Sequence, residues 1–284
     1  MQRIKNFQID EYILEALKED INYEDVSTNA IYKTDKIARV TLLAKEDGIL
    51  AGLFVFKRVF ELIDRDVKFT DYKEEGDEVK KGDKVLEVEA NIATLLTGER
   101  LALNYLQRMS GIATNARKMI EALGDENIKI LDTRKTTPNM RIFEKYAVNI
   151  GGANNHRFNL SDGVLLKDNH IAAAGSVKAA IEMVREYSPF IKKIEVEVED
   201  LDMVREAVEH GADIIMLDNM DIDKIKEASA IINKRAIIEV SGNIDLQNIA
   251  NYRGLAIDYI SSGSMIYAAD VLDLSMKNLR YVNE

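Results

Sequence analysis

From Ile128 onward, short apolar runs alternate with stretches in which apolar residues recur every third or fourth position. The runs IKILDTR, VLLKDN, KKIEVEVE, DIIMLDN, RAIIEVSG and DYISSG predict strands. Between them AGSVKAAIEMVREY, DLDMVREAVEH and MDIDKIKEASAII carry helical periodicity. Strands and helices in strict alternation predict a parallel sheet. About six such units over roughly 150 residues fit an incomplete α/β (TIM-like) barrel.

The first half is patterned differently. Ile9, Ile13 and Leu17 predict a helix over Asp10–Lys18, followed by a loop, INYEDVSTNAIY, with Asp25, Ser27 and Thr28 as candidate caps. KIARVTLLAKEDGILAGL alternates and turns at Glu46-Asp47-Gly48, a hairpin signal, and LFVFKRVFELI reads as a helix. Two Gly-Asp turns, Gly76-Asp77 and Gly82-Asp83, separate short β-prone runs as in barrel-sandwich domains. Such domains include lipoyl carriers, but their modified lysine sits among small and apolar residues, whereas Lys80-Lys81 lies among charges. Thr94–Leu123 reads as one long helix, with Ser110-Gly111 marking a close approach or a break and Arg108 on a solvated face.

Each strand of the second half ends in polar residues: DTRK, KDN, EVE, LDN, EVSG and SSG. Carboxyl ends of parallel strands converge on one mouth, which is where ligands bind. In IEVEVE, side chains two apart share a face, so Glu195, Glu197 and Glu199 are expected inside if the valines pack under helices. Buried carboxylates need cations or a metal as partners. Asp218 could line the mouth or cap the next helix, a task that Asn219 could equally take. Ser241-Gly242-Asn243 and Ser262-Gly263-Ser264 each follow a strand and precede an expected helix, an arrangement suited to phosphate. His170 reads equally as a catalytic or a loop residue; His210 suits a helix C-terminus.

Composition narrows the choice. The chain of 284 residues carries a formal charge of -11, yet the segment Asp132–His170 is net positive and holds two of the three histidines. One local cationic segment in an acidic protein fits a small anion and excludes the broad basic face that nucleic acid requires. Absence of cysteine removes disulfides, thiolate metal sites and cysteine nucleophiles, and agrees with a cytoplasmic enzyme. No run is apolar enough to span a membrane, and the first residues lack a signal-peptide core.

The motifs TGERLALNYLQRMSGIAT, DTRKTTP, YAVNIGGANNHR, LLKDNH, EVEVE and LDN, in this order, resemble the quinolinate phosphoribosyltransferases, and the likeness runs over nearly the whole chain. The resemblance implies an N-terminal α+β sandwich-like domain over 1–112, a barrel over 113–284 with the extreme C-terminus packing back, and a homodimer or higher oligomer with shared sites. It implies decarboxylating transfer from phosphoribosyl pyrophosphate to quinolinate in NAD biosynthesis, with Mg²⁺ and no prosthetic group. Carried over by position, Arg100 would reach the neighbouring subunit's site, while Arg134, His156, Arg157 and Lys167 would hold the quinolinate carboxylates. Lys135, with Thr136 beside it, would face the diphosphate. Glu197 and Asp218 would hold the ribose hydroxyls and Mg²⁺, and Lys135, Lys167, Glu197 and Asp218 would form the catalytic set. Ser241, Gly242, Asn243, Ser262, Gly263 and Ser264 would take the 5′-phosphate. Two positions depart from the family: Asn243 stands where a second glycine is usual, and Tyr267 where many members have histidine. The alternatives are a paralogue with another acceptor and a Schiff-base lyase using Lys167.

Overall fold

The computed structural model describes residues 4–32 and 36–282. The chain divides into two compact units: 1–117 with 142–152 and 269–284, and 118–141 with 153–268. The units therefore interleave along the chain, with residues 269–284 grouped with the first unit.

The first unit opens with α1 (Asp10–Ile21), which buries Ile13 and Leu17 as its periodicity requires, and α2 (Val26–Ile31). The stretch expected to be loop is thus partly helical. Asp25 caps α2 by accepting from the Thr28 N–H at 3.0 Å. Next come β1 (Ile37–Ala44), β2 (Gly48–Ile49), α3 (Leu53–Ile63), β3 (Lys68–Asp71), β4 (Glu78–Val79), β5 (Lys84–Asn91) and α4 (Ile92–Leu123). The hairpin expected between β1 and β2 does not form. β1 is flanked by β5 and by β12 (Leu274–Tyr281), which occupy both its edges, and β2 pairs with β4 instead.

α4 passes through Ser110-Gly111 unbroken, so the pair marks close packing. A Cβ on Gly111 would lie 1.9 Å from the Asp270 carbonyl oxygen, and the Ser110 hydroxyl donates to the Ala51 carbonyl at 3.2 Å. Arg108 is not solvated as expected; it binds Glu144, a fully buried residue of α5 (Arg141–Gly151).

The second unit contains the six expected strands: β6 (Lys129–Leu131), β7 (Val164–Leu166), β8 (Ile194–Val198), β9 (Ile214–Asp218), β10 (Ile237–Ser241) and β11 (Tyr259–Ser261). They form one all-parallel sheet in the order β6-β11-β10-β9-β8-β7. The strands consecutive in sequence, β6 and β7, lie at its two edges, so the sheet is an open, incomplete α/β barrel. The connections carry α6 (Asp168–Ala174), α7 (Val177–Tyr187), α8 (Leu201–Glu209), α9 (Ile222–Ile232) and α10 (Ser264–Tyr267). Ser176, Asp200 and Asp221 cap α7, α8 and α9 through their side chains, and His210 stands at the C-cap of α8. Among the described residues no helix is long and apolar enough to cross a membrane.

Candidate active site

Alternation along β8 puts Val196 and Val198 in the core beneath the helices and turns Glu195 and Glu197 to the opposite face. Register then aligns that face across the sheet: Glu197 pairs with Met216, and Ser241 with Asp218. Glu199 does not join them, because β8 ends at Val198 and Glu199 is exposed. At the carboxyl ends of the strands lies a cavity of about 470 Å³ formed entirely by the second unit.

The cations lining this cavity include Arg134, Lys135, Arg157 and Lys167, and Glu197 and Asp218 line it as carboxylates. Lys167 pairs through Nζ with Glu197, a cation of the kind expected to partner the inner glutamates. Arg157 donates through Nη1 to the Gly163 carbonyl at 2.9 Å. Burial, followed by the neighbouring charge of Arg134, pushes its guanidinium below the ordinary arginine value. A cationic pair held this close is stabilised by an anion between the two groups.

Asp132, fully buried, builds the loop that carries His156 and Arg157. It accepts from the His156 N–H at 2.9 Å and from Asn155 Nδ2 at 2.6 Å. Loop residue Asn154 also pairs with β6, its N–H reaching the Ile130 carbonyl at 2.9 Å. Both ring nitrogens of His156 are engaged by protein: Nδ1 accepts from the Arg157 N–H at 2.7 Å, and Nε2 lies 3.1 Å from Glu195 Oε2. The ring lines the cavity with both nitrogens bonded within the protein.

Asp218 is no cap; Asp221 performs that task for α9, and Asn219 does not. Asp218 instead accepts from Ser241 Oγ and Asn219 Nδ2, both at 2.6 Å. Gly242 adopts φ +102°, and a Cβ there would lie 2.3 Å from Asn219 Oδ1, so glycine is required on both counts. Asn243 takes φ +51°, as its tolerance of positive φ predicts. No α-helix follows this turn directly; the next helical residues form a 3-10 turn at Ile249–Tyr252. Ser262 and Ser264 send their hydroxyls to the Ile244 carbonyl at 2.6 and 3.0 Å, and Ser264 is not part of the cavity wall. Gly263 lets Lys135 and Tyr267 lie over it: a Cβ would meet Lys135 Cδ at 2.8 Å and Tyr267 Cε1 at 2.9 Å.

Three further expected residues fall outside the cavity. Thr136 accepts from Arg141 Nε at 3.0 Å, bracing the loop. His170 receives the Lys167 N–H at 3.0 Å on Nδ1 at the start of α6. Arg100 is an exposed residue of α4 in the first unit. Sequence reasoning overlooked Glu239, which is 2% exposed and packs against His156 and Glu195. The available signal was its phase: a lone carboxylate inside the apolar strand IIEVS, placed as Glu197 is in IEVEV.

Comparison with known proteins identifies the family. Residues 25–110 match the family described as quinolinate phosphoribosyl transferase, N-terminal domain, and residues 112–277 its C-terminal domain. A probable carboxylating nicotinate-nucleotide pyrophosphorylase of Bacillus subtilis is 40% identical over 273 residues, covering 96% of this chain and 94% of the relative. A mitochondrial decarboxylating quinolinate phosphoribosyltransferase of Nicotiana glauca is 39% identical, covering 95% of this chain and 82% of its own. The crystal structure of NadC from Streptococcus pyogenes superposes with a TM-score of 0.97 at 54% identity over 100% of both chains. With both halves matched in order and a full-length fold in common, the chain belongs to the quinolinate phosphoribosyltransferase family.

Proposed function

We propose that this chain transfers the phosphoribosyl group of phosphoribosyl pyrophosphate to the ring nitrogen of quinolinate and releases CO₂, giving nicotinate mononucleotide and diphosphate in NAD biosynthesis. The observation that carries this reading is the cavity with Arg134, Arg157 and Lys167 in one wall and Glu197 and Asp218 in the same enclosure. Quinolinate bears two carboxylates, and forked guanidinium groups match carboxylates two oxygens at a time. In this reading Arg134, Arg157 and Lys167 hold the acceptor, and Lys135 faces the diphosphate.

Nitrogen attacks the ribose carbon as diphosphate departs, so positive charge grows on the sugar and negative charge on the leaving group. Glu197 and Asp218 stabilise the first, and Lys135 the second. Their carboxylates are also the hard oxygen donors that suit Mg²⁺, which when bound would neutralise diphosphate. Bonding at nitrogen makes the ring cationic, and the adjacent carboxylate then leaves as CO₂ because the ring accepts its electron pair. This chemistry calls for no prosthetic group. The 5′-phosphate meets the backbone of the Ser241-Gly242-Asn243 and Ser262-Gly263 turns, since the three serine hydroxyls are committed within the protein. Arg100 completes the cavity of a neighbouring subunit in a homodimer, and the cysteine-free composition goes with a cytoplasmic setting.

Incubation with quinolinate, phosphoribosyl pyrophosphate and Mg²⁺ should yield nicotinate mononucleotide and CO₂ in equal amounts. Nicotinate, lacking the second carboxylate, should turn over far more slowly; equal turnover would overturn the assignment of Arg134, Arg157 and Lys167. The Schiff-base alternative requires a free amine, whereas Lys167 is ion-paired with Glu197. Borohydride with substrate should leave the mass of the protein unchanged.

A further inference from the structure

Beneath the cavity, two carboxylates face a single imidazole. His156 accepts the Arg157 N–H on Nδ1 at 2.7 Å. A ring nitrogen that accepts cannot carry a proton, so the neutral ring bears its hydrogen on Nε2. That nitrogen lies 3.1 Å from Glu195 Oε2 and 3.6 Å from Glu239 Oε2. Glu195 and Glu239 are 4% and 2% exposed, and Glu239 Oε1 has no hydrogen-bond partner. A neutral imidazole donates one N–H and compensates neither carboxylate, so two ionised carboxylates would bury two negative charges side by side, and a proton held between them leaves one.

We propose that Glu239 is a positioning residue for the acceptor site: as a neutral carboxylic acid beside the Glu195 carboxyl, it keeps the cavity floor at a single negative charge and holds His156 in its Nε2–H form. The proposal rests on the quinolinate reading above and deepens it. His156 fixed in this way keeps Nδ1 free of hydrogen to receive the Arg157 N–H, so the protonation of Glu239 sets the place of the arginine. Ionisation of Glu239 adds a second negative charge under a site meant for a dianion, and quinolinate binding weakens. Charged or titratable groups facing Glu239 are Glu195 from β8, His156 from the loop before β7 and Tyr259, its register partner on β11; β11 also contributes the Ser261 hydroxyl and β9 the apolar Met216. Burial, then repulsion by Glu195, pushes the Glu239 carboxyl up to about 7, so the change falls in an accessible pH range.

Two measurements test this. With only three histidines in the chain, ¹⁵N NMR resolves His156 in the substrate-free protein, and it should show an unprotonated Nδ1 and a protonated Nε2 at pH 6. A doubly protonated ring, or the opposite tautomer, would overturn the proposal without reference to activity. In steady-state kinetics, KM for quinolinate of the wild-type enzyme should rise by up to about tenfold per pH unit above the Glu239 transition. For Glu239→Gln it should stay at one value from pH 6 to 8.5, with kcat following the same pH course in both. A flat wild-type KM, or a Gln variant that tracks the wild type, refutes the role. So does a metal ion that co-purifies stoichiometrically with the wild type and is lost in Glu239→Gln, since His156, Glu195 and Glu239 each bring a ligand atom within 4.8 Å of the others. Should the wild type make no nicotinate mononucleotide, the functional reading fails, while the NMR result still decides how Glu239 holds His156.

Discussion

Arg108 donates from both Nε and Nη2 to one oxygen of Glu144, at 3.1 and 2.9 Å, and Glu144 is fully buried. The same guanidinium donates through Nη1 to the Ala269 carbonyl at 3.1 Å. Removing the arginine strips a buried carboxylate of its forked partner. Arg108→Ala should therefore cost about 3 kcal/mol of stability, measured by urea unfolding. Glu144→Gln should cost less, because the carboxamide oxygen still accepts from Arg108 and the charge left behind, on Arg108, is less deeply buried.

Glu239 makes stability pH-dependent in a definite direction. Its carboxyl is raised from 4.5 to about 7, so between these values the folded state keeps a proton that the unfolded state has shed. Stability from this group is complete below about pH 4.5 and is lost as pH rises through 7. The loss above that point is about 3 kcal/mol. Glu239→Gln escapes it. The variant should unfold near the wild-type urea midpoint at pH 4.5 and at a higher midpoint at pH 8.

Arg100 is exposed in its own chain, yet the proposed dimer assigns it to the neighbouring cavity. Arg100→Ala should lose activity and keep its fold by circular dichroism. Mixing it with Lys167→Ala should restore about a quarter of wild-type activity, because half the dimers are mixed and each has one intact site. No recovery after subunit exchange would mean that each cavity is complete within one chain.

Two glycines should respond to alanine for different reasons. Gly111→Ala drives a methyl to within 1.9 Å of a backbone oxygen and should destabilise by about 3 kcal/mol or more. Gly82→Ala meets open space but must hold φ +96°, so its loss should be about 1 kcal/mol. Thermal unfolding of the two variants side by side separates steric clash from backbone strain.

All six strands of the barrel were legible because each couples a short apolar run to a polar end, a pattern that needs no tertiary knowledge. Lys167, Glu197 and Asp218 were legible for the same reason. Features decided by distant partners were hidden. β1 and β2 read as a hairpin locally, but β5 and β12 compete for the edges of β1 and win. Arg108 looked solvated because Glu144 lies on another helix. No spacing rule reveals that Glu195 and the Arg157 amide engage the nitrogens of His156. Ser264 and Thr136 sit in motif positions, yet their hydroxyls serve the loops themselves.

The strand β12 completes the first unit's sheet by pairing along β1, from Ala44 opposite Leu274 to Ala38 opposite Tyr281. On a ribosome, β1 emerges early and must wait with a bare edge until the six barrel strands and then residues 274–281 have followed it. A sheet begun before the barrel is thus completed after it. A nascent chain stalled before Leu274 would expose that edge to neighbouring polypeptides, making loss of the tail a route to aggregation rather than a trimming of surface.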